Sequence, residues 1–207
     1  MASRPQDPTP REAARELANS LKAHAVTLFG MLAAMWAIEL IDFLLPFWHL
    51  DHYGIRPRQA SGLLGIPLAP FLHGDFGHLA ANSLPFLILG GIVMLGERGV
   101  FWAVTVFVTV VGGFGVWLLA PAKTVHLGAS GLIFGYLGFL LSRGIFERSF
   151  LWIAIALALL IAYGSMIFGV FPGTPGISWQ GHLFGFGAGI LAAWAMFPKN
   201  RKLYRKS

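Results

Sequence analysis

Apolar residues gather into long runs that are separated by short polar or glycine- and proline-rich stretches. About 20 apolar residues suffice for a helix to cross a bilayer, and the pattern predicts six helical segments. In chain order they are Val26 to Leu45, His78 to Leu95, Val100 to Ala120, Ser130 to Leu141, Phe150 to Val170 and His182 to Phe197. The flanks predict a cytosolic N-terminal tail over 1–25 and a basic cytosolic C-terminal tail over 199–207, around a six-helix domain over 26–198.

The fourth segment is too short to span a membrane alone. The loop before it, Pro121 to Ala129, must therefore dip into the membrane. Irregular backbone at that depth is tolerated only where it is buried in protein or faces water. We therefore expect an all-α membrane protein, a six-helix bundle with a short fourth helix and a wet cavity.

Composition supports a membrane protein and excludes several other classes. The chain is 56% hydrophobic and 12% charged, whereas a soluble domain is about 25% charged. The net charge of +6 does not indicate nucleic-acid binding, because the basic residues cluster at the termini and in short loops. Cysteine is absent, which excludes disulfides and thiolate chemistry. The expected surroundings are a lipid bilayer.

The distribution of basic residues predicts the orientation. With the N-terminus inside, 12 of the 15 Lys and Arg residues lie in the cytoplasm, and Arg56, Arg58 and Lys123 lie outside. Cytoplasmic loops carry the excess of positive charge in membrane proteins. We expect a multi-pass protein of the bacterial plasma membrane with both termini in the cytoplasm.

Four polar residues fall at a similar depth in the outer half of the membrane. If Arg143 marks the inner boundary of the membrane, Ser130 lies 13 helical steps from that boundary, or roughly 20 Å at the rise of an α-helix. The same measure places His78, Asn82 and His182 in that half, on two other segments. Polar groups inside a membrane are costly and face the bundle interior or a cavity, so the four predict a site.

Ser130 and His182 supply a nucleophile and a base. A serine hydroxyl is a weak nucleophile unless a base takes its proton, and histidine is the usual base. The acidic residues nearest this depth are Glu39 and Asp42 in the first segment, which we expect to be outer-boundary residues or loop partners. We therefore predict a Ser–His dyad without a carboxylate.

Acyl transfer also needs donors for the developing oxyanion. His78 and Asn82 are four residues apart, so they share one face of a helix. Ser130 begins a helix, whose free backbone N–H groups favour an anion. These three residues are the predicted oxyanion hole.

Glycine spacing fits close contact between the fourth and sixth segments. Gly131 with Gly135, and Gly185 with Gly189, form pairs of small residues four apart, which let helices approach closely. Such contact would bring His182 to Ser130. Generic helix packing would use the same glycines.

Three motifs give the chain a family resemblance. They are H-x4-H-x3-N at His73, His78 and Asn82, G-x-S-G at Gly128, Ser130 and Gly131, and H-x2-G-x3-G at His182, Gly185 and Gly189. In this order on these segments, they make the chain resemble the rhomboid intramembrane serine proteases from Val26 to Phe197.

The resemblance implies a function as well as a fold. Ser130 would be the nucleophile and His182 the general base, with His78, Asn82 and the Ser130 backbone N–H as the oxyanion hole. The substrates would be transmembrane helices of other membrane proteins, cut near the outer face with neither cofactor nor metal. The fifth segment and the outer loop Phe171 to Gln180 would gate substrate access.

Supporting roles follow for three further residues. Gly128 would permit a tight turn before the serine, and His73 would structure the outer loop by hydrogen bonding. Some relatives carry tyrosine four residues after the serine, packed on the catalytic histidine. This chain has Phe134 there, which keeps the stacking and loses a hydroxyl.

Three other functions compete with proteolysis. A non-catalytic rhomboid-like protein would bind or escort membrane helices, but such members typically lack the serine or the histidine. A metal-dependent enzyme would use His73, His78 and His182, yet the chain has no H-E-x-x-H motif. A transporter would usually show internal repeats, and the sequence shows none.

Overall fold

The structure, a computed structural model, describes residues 9–95, 98–173 and 176–197. Within those ranges every regular element is helical, which confirms the all-α class. The long helices are α1 (Pro10–Leu44), α2 (Phe76–Met94), α3 (Arg98–Leu119), α4 (Ser130–Glu147), α5 (Phe150–Val170) and α6 (Trp179–Met196). A π-helical turn, Val108–Gly112, interrupts α3, and α5 ends in a 3-10 segment, Gly164–Val170.

Four apolar helices surround α4 and α6, a pair of helices that is richer in glycine. By length and composition, α1, α2, α3 and α5 can each cross a membrane, and only 11% of the most apolar window of α5 is buried. By contrast, every residue of α4 from 132 to 140 is buried. Protein therefore surrounds α4, while the peripheral helices α1, α2, α3 and α5 present apolar side chains to lipid.

Glycines allow α4 and α6 to touch along their backbones. A Cβ at Gly185 would overlap the carbonyl oxygen of Gly131, and a Cβ at Gly189 would overlap that of Gly135. This contact is the most extensive between any two helices. The predicted close approach is therefore present, and it fixes the first turn of α6 beside the first turn of α4.

Helix α1 begins well before the first apolar run. Thr9 caps it by accepting the N–H of Glu12, whose carboxylate accepts the N–H of Thr9 in return. The helix then continues for 35 residues without a break. The predicted tail boundary at residue 25 thus falls inside a helix and stays a prediction, and the tail over 199–207 lies outside the described residues.

Helix α4 ends six residues later than the sequence predicts. The sequence indicates Arg143 as the inner boundary of the membrane, but Ser142 and Arg143 are both buried in the protein. The Ser142 hydroxyl donates to the carbonyl of Gly138 at 2.7 Å. The Arg143 guanidinium lies 3.6 Å from the ring centroid of Trp152 and pairs with Glu147 at 2.6 Å. These contacts stabilise the Ser142 hydroxyl and one edge of the Arg143 guanidinium, whose Nη1 is buried without a hydrogen-bond partner among the described residues, and the helix continues to Glu147.

The first outer loop, residues 45–75 between α1 and α2 on the predicted outer side, is fastened to the end of α3. Arg58 donates to the carbonyls of Leu118 and Ala120 at 3.0 and 2.8 Å. The indole N–H of Trp117 donates to the carbonyl of Gln59 at 2.8 Å. The two bonds from Arg58 satisfy carbonyls that a helix C-terminus leaves without partners, and all three bonds hold the loop against the bundle.

Candidate active site

A cavity of about 780 Å³ opens among α2, α4 and α6. Its lining includes all four residues that the sequence assigned to catalysis: Ser130, His182, His78 and Asn82. The structure therefore gathers side chains from three helices around one space that is large enough for water and several peptide residues.

Ser130 is presented by a constrained turn at the start of α4. Gly128 has φ +108°, a conformation that favours glycine, and a Cβ there would lie 2.6 Å from Cε1 of His78. The N–H of Gly128 donates to the carbonyl of Ala69 at 2.9 Å. Since Ser130 is the first residue of α4, its own N–H has no partner within the helix.

His73 holds the residue before the serine. The N–H of Ala129 donates to Nε2 of His73 at 3.3 Å, so this nitrogen must be unprotonated. Burial lowers the pKa of His73 to about 4, which keeps the ring neutral and able to accept. His73 lies in the first outer loop, and this hydrogen bond joins it to the loop that carries Ser130.

A backbone group determines the tautomer of His182. Nδ1 of His182 lies 2.9 Å from the carbonyl oxygen of Gly169. Because a carbonyl can only accept, Nδ1 carries the proton, and Nε2 of the neutral ring keeps its lone pair. Phe134 stacks on the same ring, with centroids 4.1 Å apart and planes within 7°. The imidazole is thus held on its face and at one edge.

Asn82 and His78 line the cavity from α2. Asn82 is buried, and its Nδ2 has no hydrogen-bond partner in the described part of the chain. A buried donor without a partner is costly, so the amide is suited to an anionic ligand in the cavity. Asp75 caps α2, because its carboxylate oxygen accepts the backbone N–H of His78 at 2.8 Å.

The acidic residues differ partly from the expectation. Glu39 and Asp42 do not line the cavity, and Asp42 instead accepts the N–H of Leu50 at 2.7 Å. Asp75 does line it, although the sequence argument did not consider this residue. Its bond to the N–H of His78 makes it a helix cap, and His182 is oriented by a carbonyl oxygen.

Two contributors to the site were missed. The carbonyl of Gly169 has no sequence signal, because every residue has a carbonyl. His126 was given no role, yet it is buried and lines the cavity. Its position four residues before Ser130, in the loop that the short fourth segment pulls inward, was the available signal.

The geometry does not favour a metal centre built from His73, His78 and His182. Among the described residues, one group of three has donor atoms close enough for a shared ion: His49, Asp51 and His52 in the first outer loop. None of these three lines the cavity.

Comparison with known proteins identifies the architecture. The family model described as Rhomboid domain matches residues 60–199. An uncharacterized protein of Mycobacterium tuberculosis is 41% identical over 184 residues, covering 85% of this chain and 76% of that protein. An uncharacterized protein of Mycobacterium leprae is 40% identical over 185 residues, covering 86% and 73%.

One further relative has a functional name. The "Putative rhomboid protease YdcA" of Bacillus subtilis is 27% identical over 179 residues, covering 83% of this chain and 89% of that protein. The family match includes all three motifs around the cavity, from His73 to Gly189.

Proposed function

The chain belongs to the rhomboid family, and from this premise we propose that it is an intramembrane serine endopeptidase with a Ser130–His182 dyad. One observation carries the proposal. The proton on Nδ1 of His182 is committed to the carbonyl of Gly169, which leaves Nε2 as a base in the cavity that Ser130 also lines. That is the tautomer which a serine nucleophile requires.

The reaction starts at the hydroxyl of Ser130. Its oxygen attacks the carbonyl carbon of the scissile peptide while Nε2 of His182 takes the hydroxyl proton. The tetrahedral intermediate collapses as His182 gives that proton to the leaving amine, and an acyl-enzyme remains on Ser130. Water, activated by the same nitrogen, then hydrolyses the ester and restores the serine.

The oxyanion forms where donors converge. The Ser130 N–H is free at the helix start, and the Asn82 amide is buried without a partner. His78 adds a ring N–H from the preceding turn of α2, beside Gly128. Such donors stabilise a charge that develops in the transition state, and each is worth about 3 kcal/mol in comparable sites.

The substrates we propose are transmembrane helices of other proteins. This protein is an integral membrane protein, and its four apolar helices that are long enough to cross a membrane support a cavity surrounded by lipid. A peptide bond reaches a serine only where the helix is unwound, so cleavage near the outer face at small or helix-breaking residues fits the site. We further propose six spans, cytoplasmic termini and a bacterial plasma-membrane location.

The decisive experiment is cleavage of a single-span reference substrate in proteoliposomes. The wild type is compared with Ser130→Ala and His182→Ala, after all three are checked for folding. We expect cleavage by the wild type alone, and covalent labelling of the wild type by a fluorophosphonate. Equal cleavage by Ser130→Ala would exclude Ser130 as the nucleophile. Absence of both cleavage and labelling in folded wild type would favour a helix-binding role.

A further inference from the structure

His126 lies in the loop that leads to the nucleophile, and its backbone is fixed. Its N–H donates to the carbonyl of Ile55 at 3.0 Å, and its carbonyl accepts the N–H of Ile55 at 2.8 Å. The residue is 7% exposed. The loop between α3 and α4 is therefore bound to the first outer loop at a point four residues before Ser130.

The side chain of His126 reaches the other half of the site. Its Nδ1 lies 2.6 Å from the hydroxyl of Ser178, and its Nε2 lies 2.8 Å from the hydroxyl of Thr124. Ser178 is the N-cap of α6, and its hydroxyl accepts the N–H of Gly181 at 3.1 Å. The Ser178 carbonyl accepts the N–H of His182 at 3.1 Å.

Counting donors and acceptors gives this network a direction. The Thr124 hydroxyl donates its only proton to the carbonyl of Pro121 at 2.7 Å. Its oxygen must therefore accept from Nε2–H of His126. Burial lowers the pKa of His126 and keeps the ring neutral. Nδ1 then has only a lone pair, and it accepts the proton of the Ser178 hydroxyl.

We propose that His126 is a positioning residue that aligns the two members of the dyad. Its backbone belongs to the loop that presents Ser130, and its ring holds the cap of the helix turn that carries His182. Ser178 serves both ends, since it caps α6 with its oxygen lone pair and binds His126 with its proton. This role rests on the proposed proteolytic function.

The test compares variants of one residue that keep different hydrogen bonds. His126→Phe keeps a planar ring and loses both bonds. In His126→Asn the amide occupies the place of Nδ1 and keeps an acceptor for Ser178, whereas the longer side chain of His126→Gln reaches Thr124 instead. We expect kcat to fall about tenfold in His126→Phe, which is the value of the one buried hydrogen bond to Ser178. KM should change little.

Rescue is the result that separates positioning from general stability. We expect His126→Asn to restore kcat and His126→Gln not to, at similar thermal stability. Combining His126→Phe with Ser178→Ala should lower kcat no further than the more damaging single change, because both changes remove one shared bond. Wild-type kcat in folded His126→Phe, or additive losses, would overturn the proposal.

A second measurement does not depend on proteolysis. Nitrogen NMR of the wild-type His126 ring should report a protonated Nε2 and an unprotonated Nδ1, and the Nδ1 resonance should shift in Ser178→Ala. A protonated Nδ1 in the wild type would overturn the network. If the network is found while the wild type neither cleaves nor labels, the protease assignment fails and the hydrogen bonds stand.

Discussion

At the scale of single residues, the base of the candidate dyad is oriented by a backbone carbonyl. The Gly169 carbonyl holds Nδ1–H of His182 as a carboxylate does in a triad, but it has only a partial charge. It therefore fixes the tautomer while stabilising the imidazolium less. No substitution can delete this carbonyl, so its role is best tested by adding volume beside it.

Gly169→Ala should reduce activity without unfolding the protein. A Cβ at this position would lie 2.9 Å from Cζ of Phe134 and 3.1 Å from Nδ1 of His182. The ring must shift to relieve these contacts, and small displacements of a reacting group cost about 10- to 100-fold. We expect that loss in the rate of fluorophosphonate labelling of Ser130.

The matched control for this substitution is Gly173→Ala. The same methyl group is added there where, chain neighbours apart, no atom of the described residues lies within 4 Å of the new Cβ. Labelling at the wild-type rate is expected for the control. A rate for Gly169→Ala equal to that of the control would contradict the proposed orientation of His182.

Side chains of the candidate site were predictable, and backbone partners were not. Serine, histidine and asparagine at one depth indicate chemistry because polar groups in a membrane are costly. The Gly169 carbonyl lies at the end of a 3-10 segment, and only the packed structure shows that it faces His182. The sequence does not distinguish His126 from other loop histidines, because only the folded structure brings the hydroxyls of Thr124 and Ser178 to its ring.

At the scale of helices, the contact between α4 and α6 aligns the candidate site. Gly185 and Gly189 lie on the face of α6 that touches the backbone of α4. Gly187 lies on another face, where no atom of the described residues outside its own helix backbone and chain neighbours is within 4 Å of an added Cβ. Alanine substitutions on these two faces of α6 therefore compare the cost of disturbing the helix contact with the gain in helix propensity.

Gly189→Ala and Gly187→Ala should change stability in opposite directions. The methyl group of Gly189→Ala would overlap the carbonyl oxygen of Gly135, and overpacking costs about 1–3 kcal/mol. Alanine at 187 meets no atom and gains up to about 1 kcal/mol of helix propensity. Thermal unfolding in detergent micelles measures both, and equal shifts would contradict the close contact.

Helix bounds were predictable where apolar residues run to the end of the helix. The sequence predicts Phe150–Val170, and the structure has the same bounds for α5. The predicted bound fails at the start of α1, because the polar residues 10–25 end the apolar run without ending the helix. It fails at the end of α4, because stacking on Trp152 lets Arg143 remain inside the bundle.

At the scale of the whole molecule, charge distribution predicts how the bundle lies in the membrane. Arg56, Arg58 and Lys123 are the three basic residues assigned to the outer side, and the other 12 are assigned to the cytoplasm. Labelling of single sites from one side of the membrane measures this orientation. The absence of cysteine from the chain makes every introduced thiol a unique reporter.

Single cysteines at two exposed glycines should report opposite sides. Gly173→Cys lies in the predicted outer loop Phe171 to Gln180, and Gly99→Cys lies beside Arg98 at the start of α3. Apart from chain neighbours, neither Cβ would meet an atom of the described residues within 4 Å. In intact cells we expect a membrane-impermeant maleimide to label the first and to label the second only after permeabilisation. The wild type should remain unlabelled, and the reverse pattern would invert the orientation.

The unbroken course of α1 also has a mechanical consequence. Its 35 residues form a rod of about 52 Å, whereas a hydrocarbon core is about 30 Å thick. A rod of that length holds its far end at a set distance and angle instead of leaving it on a flexible tether. A rotation of α1 at Pro10 would therefore be transmitted along the helix to Trp36, whose indole N–H donates a hydrogen bond to the hydroxyl of Ser83 in α2.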